Sequence, residues 1–444
     1  MGGFFYIYSR VKRFINKYFG LLFLLLLTAS IYTPRYGVLD RMSIQFFSLS
    51  AVSFLTLITL PLIKKDINFK DLIKVPLILC FLGYLFFCVL SITKSLNINS
   101  SLVRLGHLIT FCISLSLLIY LVKEKLIRIN HVLLIVLLTL IIDLSFSFQQ
   151  YFKITSIPGI EWGYDYNYLL AGLHGNRNIV AASIAMRIPL IIILATRIKN
   201  NIFKGLIFLI LVLSFLDIFM LSSRATLLSM IICILLFIIV SIYVYSKKTN
   251  NYFKENRLIL LMYLMPCFIA YLLSTNVIAS DDQANVTSRV SSIVTSTNDS
   301  SINTRLRYYS HALNHISKNP LLGAGIGNWK IYSIKYDKNN IQNYIIPYNA
   351  HNDILEATAE TGFLGGILFT SFFGFLFYYI FQMLKNALVN IKNVNFYLIL
   401  SFPFISYFID LNLNFPTSRP FSLYILIMYI SVVLFIRKNN YEKN

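Results

Sequence analysis

Asn343–Phe369, NYIIPYNAHNDILEATAETGFLGGILF, joins a long polar segment to an apolar one, and its reading decides what kind of protein this is. From Phe363 an uncharged apolar run continues to Leu384, long enough to cross a bilayer. His351, Asn352, Asp353, Glu356 and Glu360 therefore stand where water meets membrane. Read as a helix from about Asn349, the positions Asn352, Glu356 and Glu360 recur every four residues on one face, while Ile354, Leu355 and Thr358 lie on another. That reading puts His351 in the first turn. Backbone N–H groups and the positive dipole end gather there, which suits an anionic ligand or a developing negative charge. Gly362, Gly365 and Gly366 carry no side-chain bulk, so a neighbouring helix or a lipid head group can approach the backbone.

Outward from this junction the chain is far more apolar than a soluble globular protein. Hydrophobic residues make up 57% of the 444 and charged residues only 13%, with a mean hydropathy of +0.69. The class is an all-α integral membrane protein. Twelve apolar segments of spanning length follow one another, at roughly 19–33, 43–63, 75–93, 105–121, 131–152, 178–196, 206–221, 225–245, 258–273, 363–384, 395–409 and 420–436. The net charge of +21 would suggest nucleic acid in a soluble domain. Here 23 of the 39 Lys and Arg fall in alternate short loops and terminal segments, so the positive-inside rule predicts both termini in the cytoplasm and no nucleic-acid partner. Arg10, Lys12, Arg13 and Lys17 before the first apolar run imitate a signal peptide, but the regular alternation favours a retained anchor. All five cysteines fall inside candidate spans, with no disulfide or metal-ligand spacing. No repeat, nucleotide-binding loop or large cytoplasmic segment is visible, which argues against an ATP-driven motor.

The pattern breaks once, between Ser274 and Ala350. The alternation of charge predicts that this segment is periplasmic, and the sequence divides into a membrane region of about nine spans (1–273), a periplasmic loop carrying the junction motif (274–361) and a second membrane region of about three spans (362–444). The first part of the loop, through Ser301, is rich in Ser, Thr, Asn and Asp and reads as flexible. From Thr304 to Ser317, Leu306, Tyr309, Leu313 and Ile316 are spaced for an amphipathic helix that ends at Asn319-Pro320. Gly323, Gly325 and Gly327 then make a tight turn. The whole reads as a partly helical lid over the membrane surface.

His351-Asn352, nine residues, Gly362, two residues and Gly365-Gly366, preceded by Asn319-Pro-Leu-Leu-Gly-Ala-Gly-Ile-Gly-Asn-Trp329, resemble the signature of the O-antigen ligase and O-antigen polymerase superfamily. The resemblance implies a metal-independent, cofactor-free glycosyltransferase of the C-type architecture. It implies a donor glycan on undecaprenyl diphosphate, taken from the periplasmic face of the bacterial inner membrane. The signature does not separate three acceptors: the lipid A core for a ligase, another carrier-linked glycan for a polymerase, and a protein hydroxyl for an O-oligosaccharyltransferase. A lipid-linked-glycan flippase is the competing class. It would line its core with many charges and lack a large lid.

A diphosphate donor calls for arginines, whose planar fork gives two parallel hydrogen bonds and stays charged. Three places offer them: Arg224 in the short turn Leu221-Ser-Ser-Arg224, Arg305 and Arg307 at the start of the lid helix, and Arg177 in His174-Gly-Asn-Arg-Asn178. Arginines at span ends also snorkel to head groups, but the superfamily carries an arginine in a context like that of Arg224. Of the lid pair, Arg305 is preferred to Arg307. Arg187 lies within a span and reads as a structural partner of Asp143 or Asp217. A lone histidine is more often a capping or interfacial residue than a catalytic one. Glycosyl transfer to a hydroxyl nevertheless needs a proton acceptor, and an imidazole titrating near about 6.5 can serve at neutral pH. By resemblance His351 is the superfamily's essential histidine, with Asn352, Glu360, Gly362 and Gly365 in support and Glu356 and Glu360 orienting neighbours or facing water.

Overall fold

A computed structural model describes residues 18–34, 37, 40–64, 66–158, 169–247, 252–277, 300–341, 346–391 and 393–441. The flexible segment expected at 274–301 falls largely outside these residues, as do Arg10, Lys12, Arg13 and Lys17. The described chain is helical, without a strand. In chain order the helices are α1 (Tyr18–Ile31), α2 (Arg41–Ile63), α3 (Lys70–Ile73), α4 (Pro76–Ser91), α5 (Ile98–Lys123), α6 (Ile129–Thr155), α7 (Arg177–Arg197) and α8 (Asn201–Leu221). There follow α9 (Arg224–Ser246), α10 (Tyr252–Val277), α11 (Ser300–Lys318), α12 (Trp329–Asp337), α13 (Asp353–Asn390), α14 (Val394–Leu413) and α15 (Pro420–Tyr441). Eleven of them are long and apolar enough to cross a membrane. Each corresponds to one of the apolar segments read from sequence. The first segment forms α1, a shorter apolar helix.

Asx residues start many of these helices, because a short side-chain oxygen can accept from backbone N–H groups that have no intrahelical partner. Asp40 caps α2, Asn97 caps α5, Asn176 caps α7 and Asn200 caps α8. Pro76 begins α4, where its missing N–H costs nothing. Large apolar side chains point outward along the spans, among them Phe47, Leu62, Ile202 and Ile239, each more than 60% exposed. Such faces are a liability in water and are the normal surface in lipid.

The contacts divide the chain into two compact units that interleave along the sequence: residues 1–135, 305–376 and 417–444 form one, and 136–304 and 377–416 the other. In the first unit α5 packs on α2, α4 and α15. In the second, α7 is the central helix, with α8, α9, α10 and α14 around it; 94% of its apolar window is buried.

Arg187, fully buried on α7, forms an ion pair with Asp143 of α6 at 2.6 Å. It also donates from Nε to the Ser183 carbonyl (3.1 Å) and from Nη2 to the Ser183 hydroxyl (3.0 Å). His174 Nε2 lies 3.2 Å from the other Asp143 oxygen. Asp217 instead accepts from the Ser147 hydroxyl at 2.6 Å. Of the two acidic partners expected for Arg187, Asp143 is therefore the one engaged. Arg187→Met is expected to cost about 3–5 kcal/mol, because it leaves Asp143 buried and uncompensated. Adding Asp143→Asn should recover much of that loss. Thermal unfolding of the purified variants in detergent reads both, and an Arg187→Met protein as stable as wild type would show that the pair holds nothing.

Candidate functional site

Asn352 sets the start of the junction helix. Its Oδ1 accepts from the backbone N–H groups of Ile354 and Leu355, both at 3.0 Å, so α13 begins at Asp353 rather than at Asn349. This corrects the sequence reading. His351 precedes the cap and is not in the first turn, and Asn352 serves as the cap itself. The backbone of His351 is left-handed, with φ +55°, a conformation uncommon for residues with a Cβ. Two lid residues hold it there. Tyr309 of α11 donates its hydroxyl to the His351 carbonyl at 3.1 Å. The Tyr308 ring stacks against the imidazole, with centroids 6.0 Å apart and planes 23° from parallel.

Each of the three acidic side chains of α13 fastens a neighbouring segment. Glu356 accepts from the backbone N–H of Ala350 at 2.8 Å, closing the turn that carries His351. Glu360 accepts from the backbone N–H of Trp329 at 3.0 Å, fixing the start of α12. Asp353 accepts from the backbone N–H of Thr417 at 2.8 Å. All three are buried, and they share one guanidinium that sequence reasoning missed. Arg104 of α5 acts electrostatically on Glu360, Glu356 and Asp353. It donates to the Thr417 carbonyl (3.0 Å) and hydroxyl (3.2 Å). The available signal was chemical: three carboxylates beside a span require a buried cation. Spacing along the chain could not say which one.

α13 breaks at Gly362, whose φ of +79° and ψ of 179° separate the short segment 353–361 from the long apolar segment 363–390. The break lets the Asn319–Asn328 loop fold onto the end of the short segment. Ala324 donates its N–H to the Ala359 carbonyl at 2.8 Å, Gly325 donates to the Glu360 carbonyl at 2.9 Å, and Phe363 donates to the Pro320 carbonyl at 2.7 Å. Helix-end carbonyls are thereby satisfied. Gly323, with φ +60°, packs so tightly on this end that a Cβ would overlap the Ala359 carbonyl. Beneath the loop, buried Asn328 accepts from the Asn97 N–H at 2.8 Å and donates to the Ser101 hydroxyl at 2.8 Å. Ile326 donates its N–H to the Ser91 hydroxyl at 3.0 Å. The loop is thus a bracket between α13 and the α4–α5 turn. Close approach at Gly362 is to the Leu321 carbonyl, not to a helix or a head group. Gly365 does face a neighbouring helix, with Phe87 of α4 against it.

The lid helix α11 runs Ser300–Lys318, slightly longer than the sequence suggested. Its buried face was misassigned. Tyr308, Ala312 and His315 are the buried residues, whereas Leu306 and Leu313 are 58% and 55% exposed. Aromatic packing and an ion pair decide this orientation. The His315 ring sits among Trp329, Tyr332 and Tyr336 of α12, and burial lowers its pKa, with Lys318 adding to the effect. Arg307 grips buried Asp337 of α12 through Nε at 2.8 Å and Nη2 at 3.3 Å, with His311 Nε2 3.2 Å from the same carboxylate. Ile302, Leu306 and Leu313 then form an outward apolar stripe, on the same face as half-buried Tyr309 and Ile316.

The candidate phosphate ligands divide accordingly. Arg307 is committed to Asp337. Arg305 lies one turn before Tyr309 and acts electrostatically on its hydroxyl, lowering a pKa that burial otherwise raises. The structure therefore brings Arg305, Tyr309 and His351 together in the first unit. Arg224 is half-buried at the first position of α9, after a left-handed Ser222. Arg177 is half-buried at the first position of α7. Both belong to the second unit.

Residues 209–370 match the protein family described as O-Antigen ligase. The match starts in α8, ends in the apolar segment of α13, and includes Arg224, Arg305, Arg307 and His351. Arg104 and Arg177 lie outside it. No curated protein matches the chain.

Proposed function

We propose that this chain, a member of the O-antigen ligase superfamily by its domain at residues 209–370, moves an oligo- or polysaccharide from undecaprenyl diphosphate to an acceptor hydroxyl at the periplasmic face of the inner membrane. The observation that carries this reading is the Tyr309 bridge, which ties His351 to the helix bearing Arg305. A proton acceptor and a guanidinium thus share one framework. In this scheme Arg305 binds the donor diphosphate and stabilises it as it leaves. His351 accepts the acceptor's proton while the hydroxyl oxygen attacks the anomeric carbon. The bond from that carbon to the phosphate oxygen breaks, and undecaprenyl diphosphate departs with the electron pair. Asn352, Glu360, Gly362 and Gly365 hold the framework. The outward stripe of α11 suits a helix resting on lipid. Arg224 and Arg177 are proposed as diphosphate ligands on their sequence context alone.

The arginines separate by their expected effects. Arg305→Ala should abolish transfer with the protein still inserted. Arg307→Ala should chiefly loosen the α11–α12 pair, seen as faster proteolysis of the lid. Arg224→Ala should abolish transfer as well, and Arg224→Lys should rescue poorly because a point charge cannot reproduce a bidentate fork. Full activity in Arg224→Lys would refute bidentate recognition at that position.

The lipid A core is the acceptor favoured here, with a second carrier-linked glycan or a protein hydroxyl as the other readings. A deletion strain tests the choice. Loss of a ligase leaves long glycan chains on the carrier. Loss of a polymerase instead leaves single repeat units on the lipid core.

A further inference from the structure

Far from the lid, the first unit holds a cavity of about 400 Å3 between the start of α4, the end of α5 and the end of α15. Val75, Ile119 and Phe435 are among its apolar walls, and Lys123, Arg437 and Lys438 supply cationic side chains to its lining. Its volume is within the range of ordinary ligand sites. One carboxylate, Asp71, also lines it and is bound to Lys123 at 2.7 Å. The three cations therefore exceed the acid by two charges.

The position of the cavity is fixed by α5. The first turn of that helix holds the glycine-rich loop through Asn97 and Ser101, and its last residue, Lys123, lines the cavity. At 1.5 Å per residue the two ends of α5 stand roughly 38 Å apart, a little more than the ~30 Å hydrocarbon core of a bilayer. The cavity thus lies at the opposite membrane surface from the bracket loop. An apolar recess with a cationic lining at head-group depth offers one part to an acyl chain and another to a phosphate. A soluble anion would make no use of the apolar walls.

We propose that this cavity is a binding site for one anionic phospholipid, its phosphate held by Lys123, Arg437 and Lys438 and the upper part of an acyl chain lying against Val75, Ile119 and Phe435. The site is separate from the transfer chemistry and does not rest on it. The ligand source is the surrounding membrane.

The test uses the full-length protein, purified and titrated with phosphatidylglycerol, phosphatidylcholine or inorganic phosphate, with bound lipid counted by native mass spectrometry and thermal stability followed in parallel. One phosphatidylglycerol should bind per chain, in preference to phosphatidylcholine, and should raise the melting temperature. Arg437→Gln with Lys438→Gln should weaken that binding about 25-fold, at roughly fivefold for each charge removed beside a lipid phosphate. Val75→Trp, which fills the recess and keeps every charge, should also lose the lipid. Unchanged binding in the double Gln variant would overturn the proposal, as would equal retention of phosphatidylcholine. Stabilisation by inorganic phosphate matching that by the lipid would reduce the site to a simple anion site and overturn it too.

Discussion

His351→Ala is expected to lower turnover on the order of 10²–10⁴-fold, the usual worth of general base catalysis, with little change in donor binding. The separation follows from the division of labour proposed for the site, in which the diphosphate is held by arginines and the acceptor's proton is taken by the imidazole. Ala also alters a left-handed turn, where any side chain adds strain of about 1–2 kcal/mol. His351→Asn is the sharper variant, because Asn tolerates that backbone and keeps hydrogen-bonding capacity without basicity. His351→Gln removes basicity with a longer side chain. Both should be nearly as slow as Ala, whereas a positioning role would leave them close to wild type. Tyr309→Phe removes the hydrogen bond to the His351 carbonyl and should lower turnover less than loss of the imidazole itself.

Gly362→Ala is expected to disable the protein by a different route. Its backbone, at φ +79° and ψ 179°, occupies a region open essentially to glycine alone, and a Cβ would overlap the Leu321 carbonyl. Relief requires the Asn319–Asn328 loop to move, which breaks the hydrogen bond from Phe363 to the Pro320 carbonyl. The adjoining bonds to the Ala359 and Glu360 carbonyls would be strained with it. A loss above about 4 kcal/mol falls in the exceptional range for a single substitution. It should appear as rapid proteolysis at the loop together with lost transfer. Gly106→Ala, at a position where a Cβ meets nothing within 4 Å, is the matched control. A Gly362→Ala protein that resists protease like wild type would contradict the bracket.

How far the sequence could be read depended on which forces acted locally. Spans announce themselves because apolar length is the condition for crossing a bilayer, so each apolar segment reappears as a helix, including the modest 395–409 within Val394–Leu413. The start of α13 was misplaced because Asn349 and Asn352 are both plausible caps, and only the backbone bonds captured by Asn352 decide between them. The face of α11 was misread because apolar spacing marks a stripe without saying what covers it. Tyr308, His315 and the Arg307–Asp337 pair took the inside, and the leucines turned outward. Arg104 was invisible for a similar reason. It lies more than 240 positions before the carboxylates it faces, and only the folding of 305–376 onto 1–135 brings them together. The pairing of Arg187 with Asp143 was half legible, since a charge inside a span demands a partner but two acids were on offer. Glycines of the signature read as small residues. The sequence could not show that Gly362 makes room for a loop rather than for a lipid.

The most direct test is reconstitution of the purified chain in liposomes with a glycan carried on undecaprenyl diphosphate and a separate acceptor bearing a free hydroxyl. Transfer predicts that free undecaprenyl diphosphate and glycosylated acceptor appear in equal amounts, and that both vanish in His351→Asn. Glycan that crosses the bilayer still joined to its carrier, with no diphosphate released, would contradict the account and identify a transporter instead.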